Sequence, residues 1–161
     1  MPALSSGKIL QENTDVNEVD FIKTSASLCK QNFTGYAAIC IKGASGLEEG
    51  TFLFDQGKIA GCFYEYYALK KEFYGKDAFQ RILNASASKN GLFDIISITP
   101  DQVRLALAVN QKIMFAATAE QFQLAGAREF SPLFEQQAST ATTPEARAQL
   151  LDKYKLGGLA R

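Results

Sequence analysis

The sequence predicts one small α+β domain with a mainly antiparallel sheet, in the order β-α-β-β-β-α-β-α, followed by a C-terminal helical extension. Three observations lead there. Short runs rich in Ile, Phe, Tyr and Thr are bounded by Gly, Asn and Asp, as strands are. Between them lie stretches whose apolar residues recur at helical spacing. Near the middle, the tetrad Asp55-Gln56-Gly57-Lys58 separates two strand-like arms, residues 51–54 and 58–66, as the turn of a β-hairpin does. Gly57 takes the positive φ of a three- or four-residue loop at little cost.

Residues 7–12 form a short strand, and Asn13-Thr14-Asp15 starts a helix over 16–31, with Asp15 as cap and Glu18 at the capping-box position. Val19, Ile22, Ala26, Leu28 and Cys29 make its apolar face. Residues 33–42 are apolar on both sides, so this strand is central and covered twice. Gly43-Ala44-Ser45-Gly46 resembles a phosphate cradle only superficially: it lacks the Gly-Lys-Ser/Thr ending and the following helix, and reads as a hairpin connection. In the second hairpin arm, alternation puts Ile59, Gly61 and Phe63 on one face and Ala60, Cys62, Tyr64 and Tyr66 on the other.

A second helix spans 75–85, with Ala78, Phe79, Ile82 and Leu83 inward and Lys76, Asp77, Gln80, Arg81 and Asn84 outward. Residues 92–98 are a strand in which Asp94 reads as an edge or strand-end carboxylate. Thr99-Pro100-Asp101-Gln102 is a capping box with Pro at the first helical position. The helix it opens is expected to run to about Leu124 and to need a second surface, from its own sheet or another subunit. The domain is thus expected over 1–134, a flexible linker over 135–143, and a short helix and tail over 144–161. Leu150, Leu151 and Tyr154 form a narrow stripe on that last helix, which is either a strap on its own domain or a docking peptide.

Seventeen basic residues balance seventeen acidic ones, which argues against a nucleic-acid partner. The chain has no histidine, which removes the usual general base and most zinc sites. Cys29, Cys40 and Cys62 are odd in number and set among apolar residues, suiting reduced core thiols in the cytoplasm. No apolar run has the length of a membrane span. No metal, cofactor or catalytic residue is assigned. Asp55 and Lys58 are simpler as turn residues, Glu65 as a strand end, and Asp94 has no carboxylate placed beside it. Tyr64, Tyr66, Tyr67, Phe73 and Tyr74, close to Lys70 and Lys71, read either as a core edge with phenols reaching water or as a partner-binding patch.

The ordered set Gly7-Lys8-Ile9-Leu10, Phe33-Thr34-Gly35-Tyr36, Gly50-Thr51-Phe52-Leu53-Phe54, Gly57-Lys58-Ile59-Ala60-Gly61, Gly75-Lys76-Asp77-Ala78-Phe79 and Gly91-Leu92-Phe93 resembles the PATAN-type domains of bacterial signalling proteins and their uncharacterised archaeal relatives. The resemblance covers residues 7–99. It implies a non-enzymatic adaptor in cytoplasmic signalling, motility or polarity, with no catalytic residue to carry over. The expected function is therefore protein–protein interaction through the sheet face and the C-terminal helices, with Tyr64, Tyr66, Tyr67, Phe73, Tyr74, Leu150, Leu151 and Tyr154 as candidate contacts and a homodimer among the candidate assemblies. The alternative is a small-molecule sensor with a pocket between the sheet and the long helix, lined by Tyr64 and Tyr66.

Overall fold

A computed structural model of the chain describes residue 2 and residues 4–125 and 129–140. Seven strands form one open sheet: β1 (Lys8–Asp15), β2 (Gly35–Lys42), β3 (Leu47–Asp55), β4 (Lys58–Tyr66), β5 (Lys71–Tyr74), β6 (Gly91–Ser97) and β7 (Met114–Ala117). Their order is β1-β6-β2-β3-β4-β5, with β7 also beside β4, and the pairings are antiparallel. The described helices are α1 (Phe21–Lys30), α2 (Gly75–Ala85), α3 (Pro100–Val109), α4 (Ala119–Ala125) and α5 (Leu133–Thr140). The α+β class is as the sequence predicts; β5 and β7, four residues each, are additions to the expected order.

The central hairpin turns more tightly than expected. Asp55 pairs with Lys58, leaving Gln56 and Gly57 as a two-residue loop with φ of 49° and 78°, the twist-matched geometry of short hairpins. Gly57 is needed for its φ and for space, because a Cβ there would sit 2.3 Å from the Cys29 carbonyl oxygen. In β4, Phe54 pairs with Ile59 but Leu53 pairs with Gly61, so Ala60 is the extra residue of a bulge. The bulge overrides strict alternation: Ile59 joins Cys62, Tyr64 and Tyr66 on one face, while Phe63 stays on the other.

That first face carries the main core, under α1, α2, α4 and α5. Phe52 stands at its centre, with ring centroids 5.8 Å from Phe21, 5.6 Å from Phe79 and 5.0 Å from Phe122. On the second face α3 seals a smaller cluster of Leu53, Phe63, Ile98, Val103, Ala106 and Ile113.

Four sequence expectations need correction. Asp15 remains in β1, paired with Leu92, and caps a single turn through the Asn17 N–H (2.8 Å); α1 starts later, on Asp20, whose carboxylate accepts from the Lys23 N–H at 3.0 Å. Asp94 is neither at an edge nor at a strand end. β6 lies between β1 and β2, and Asp94 accepts the Asn13 N–H at 2.6 Å where β1 bends through a φ of 51°.

The helix after the Thr99 capping box ends at Val109, well short of Leu124. The Asn110 amide turns back to the Ala106 carbonyl at 3.1 Å, a short 3-10 turn (Gln111–Ile113) buries Ile113, and Met114–Ala117 then pairs with β4. The backbone groups at that edge of β4 prevail over helical spacing. Finally, residues 135–140 belong to α5, not to a linker. The Glu135 carboxylate accepts from the Ala44 N–H (3.0 Å) and the Ser45 N–H (2.7 Å), and Asn84 exchanges two hydrogen bonds with the Ser131 backbone (3.0 and 2.7 Å). Residues 141–161, with Leu150, Leu151 and Tyr154, lie outside the described residues.

Candidate functional site

The structure separates the tyrosine-rich segment. Tyr64 and Tyr66 point to the first face and are 1% and 2% exposed, with ring centroids 5.1 Å apart; Phe73 packs on Tyr66 at 5.8 Å. These three complete the core. Tyr67 and Tyr74 turn to the second face, where Tyr67 donates to Glu49 at 2.7 Å and Tyr74 donates to Glu72. Arg81 and Asn84, expected outward on α2, are buried: Arg81 lies 3.5 Å over the Phe73 ring, and Asn84 holds the backbone before α5.

Beneath α5 lies a polar cluster that alternation hides in an apolar strand. Glu48, 3% exposed, accepts the Tyr64 O–H at 2.6 Å through one oxygen, while its other oxygen has no hydrogen-bond partner. Burial pushes its pKa up to about 7; the Tyr64 bond opposes the rise and the Glu135 charge adds to it. Glu135 goes the other way: although burial works against ionisation, the donors of Ser45 and Ala44 hold it below the usual range. Burial also pushes the Tyr64 phenol up, with the Glu48 charge reinforcing it. The sequence signal for Glu48 is its even spacing from Phe52 and Phe54, which places it on the inward side of β3.

The second face is roofed by α3 at one end only. Beyond that roof, one cross-strand row runs Leu92, Cys40, Glu49, Glu65, Glu72 and the next runs Asp94, Ala38, Thr51, Phe63. Leu47, Leu92 and Tyr67 are 56%, 44% and 40% exposed, while Ala38, Cys40, Glu49, Glu65 and Asp94 are half-buried. Apolar Leu92 and Cys40 thus border a run of three carboxylates, Glu49, Glu65 and Glu72, and Lys42 stands at the rim. Burial raises the Cys40 thiol pKa, with Glu49 and Asp94 adding to it. Glu65 and Asp94 sit on β4 and β6 with two strands between, about 14 Å at normal strand spacing, which is too far apart for a shared acid–base site.

A separate groove of ≈ 690 Å³ opens between β4, β7 and α3, lined by Ile59, Ala60, Leu107, Met114, Phe115 and Ala117. Tyr64 and Tyr66 do not reach it. Among the described residues no three His, Cys, Asp or Glu side chains are grouped as metal ligands, and no helix is long and apolar enough to cross a membrane.

A family model described as an uncharacterized protein conserved in archaea (DUF2226) matches residues 4–110. The matched span holds β1–β6 and α1–α3; β7, α4 and α5 follow it. No curated protein and no solved structure matches the chain.

Proposed function

The chain belongs to this archaeal-conserved family, and from that premise we propose that it is a non-enzymatic protein-interaction module that docks a protein partner on the open half of its second sheet face. The observation that carries the reading is the partial roof. α3 buries Leu53 and Phe63 and leaves Ile96 partly covered, yet the same face continues into Leu47, Leu92, Cys40 and Tyr67 with no described helix packed over them. Contiguous exposed apolar groups interrupted by a few polar ones are the usual composition of a protein contact. The PATAN-type resemblance supports placing the module among cytoplasmic signalling, motility or polarity adaptors. A second copy of the chain is the less favoured occupant, since a twofold contact would bring Glu49, Glu65 and Asp94 against their own copies.

The test is affinity purification from the native cell with wild type, Leu92→Arg and Gln80→Ala, the last on the exposed side of α2. A partner held by wild type and Gln80→Ala but lost with Leu92→Arg supports the docking face. Equal retention by all three refutes it. A second reading, a small-molecule sensor, draws on the apolar groove beside Leu107 and Met114; a ligand-dependent rise in melting temperature, abolished by Ala60→Phe, would establish it.

A further inference from the structure

We propose that α5 is a proton-gated latch on the first sheet face: it stays closed while Glu48 is protonated, and swings away from the β2–β3 loop about a hinge at Ser131 when Glu48 ionises. The helix lies on the face opposite the docking surface, so the latch stands apart from that reading.

Three observations place the latch. The first is its narrow hold: α5 touches each neighbouring element at only a few points. Among the described contacts it is fastened by the Glu135 carboxylate on the Ala44 and Ser45 N–H groups, by the Phe134 ring 5.5 Å from the Arg81 guanidinium, and by buried Ala138. The second is what lies beneath. Glu48 and Arg81 are both buried, and each keeps one atom without a hydrogen-bond partner, Oε1 and Nε. Incompletely paired ionisable groups make a costly interior, which water relieves when the cover lifts. Glu48 Oε1 lies against Gly43, where a Cβ would collide with it, and the next two amides along the chain are those that Glu135 holds. Two carboxylates thus meet one loop. The third is the hinge: Asn84 holds both the N–H and the carbonyl of Ser131, at 2.7 and 3.0 Å, so the chain before α5 stays on α2 when the helix moves.

The charged and titratable groups facing Glu48 are Tyr64 and Tyr66 from β4, Arg81 from α2 and Glu135 from α5. Burial pushes both phenols above their ordinary range, while Glu135, despite its burial, is held low by the Ser45 and Ala44 donors. The chain has no histidine, so the proton that moves near neutral pH at this site is that of Glu48. In the closed state burial pushes its pKa up to about 7; opening returns the carboxyl to water and to the ordinary 4.5. The closed state thus holds the proton more tightly, and closure is strongest below pH 4.5 and weakens as pH rises to about 7. The opening constant then gains up to about tenfold for each pH unit, about fortyfold from pH 5 to pH 7, and levels by pH 8.

The test is native-state hydrogen exchange of the full chain at pH 5, 6, 7 and 8, with each amide's rate divided by its intrinsic rate so that only opening remains. The amides of residues 136–140 report α5, and those of Phe52 and Phe54 report opening of the core. A latch gives more frequent opening of α5 than of β3 at every pH, and an α5 opening constant that rises about fortyfold from pH 5 to pH 7. In Glu48→Gln that rise vanishes. Tyr64→Phe, which deletes the O–H that favours ionised Glu48, keeps the rise and moves it to higher pH. Equal opening of α5 and β3 overturns the proposal, because the helix then leaves only with the whole fold. A flat wild-type profile overturns it too, as does a rise that Glu48→Gln leaves unchanged. The first two of these outcomes need only the wild type, so a variant that fails to fold leaves the test standing.

Discussion

Glu48→Gln is the sharpest test of the polar cluster under α5. Burial pushes the pKa of Glu48 in the folded protein up to about 7 against 4.5 for an ordinary glutamate, so the native state holds this proton more tightly than the unfolded chain. Its contribution is therefore fully present below pH 4.5 and is lost as pH rises towards 7. At about 1.4 kcal/mol for each pH unit between the two values, the loss approaches roughly 3 kcal/mol by pH 8. Glutamine keeps the shape and accepts from Tyr64, but its amide N–H2 enters the position where the second Glu48 oxygen lacks a partner. That costs about 1 to 2 kcal/mol at every pH. The variant should thus be less stable than wild type at pH 5 and more stable at pH 8. The groups facing the site are Tyr64, Tyr66, Arg81 and Glu135, and the substitution leaves all of them in place. Urea unfolding at pH 5, 6, 7 and 8 measures it. Parallel stability curves for the two proteins would show that Glu48 does not titrate in this window and refute the reasoning.

Three further outcomes follow from the same geometry. Gly57→Ala should cost about 2 to 3 kcal/mol or more in chemical unfolding, because it combines a φ of 78° with a Cβ 2.3 Å from the Cys29 carbonyl oxygen. Phe122→Ala should cost about 3 to 5 kcal/mol although it lies beyond the family-matched span, since its ring fills the space between Phe52 and Phe79; a loss under 1 kcal/mol would show that α4 is dispensable to the core. Glu135→Gln should lower stability by about 1 to 3 kcal/mol at pH 7. Its deficit should shrink as pH falls through the carboxylate range, because Glu135 is held ionised in the folded state and wild type then loses the same charge-assisted bonds.

Much of the fold is legible where a local signal and the tertiary structure agree. The Thr99-Pro100-Gln102 cap, the α2 boundaries and the hairpin at Gly57 all appear where residue chemistry places them. The failures share a cause: a neighbouring element decides what the local pattern leaves open. Residues 114–117 have helical spacing, but pair with β4. Residues 135–140 have linker composition, but Glu135 finds two amides on the β2–β3 loop. Ile59 breaks alternation because Ala60 bulges. At the candidate site, aromatic density pointed to Tyr64 and Tyr66, which the core absorbs. The row on the open face was harder to see because Leu92, Cys40 and Glu49 come from three strands and meet only through sheet register.

The docking claim is tested most directly by placing a photo-activatable cross-linking residue at Leu92 in the full chain, and at Gln80 as control, and irradiating both in the native cell. The account expects a discrete adduct to another protein from position 92, absent from position 80 and weakened by Tyr67→Ala in the same chain. The same adduct pattern from both positions, or an adduct at 92 only to a second copy of this chain, would contradict it.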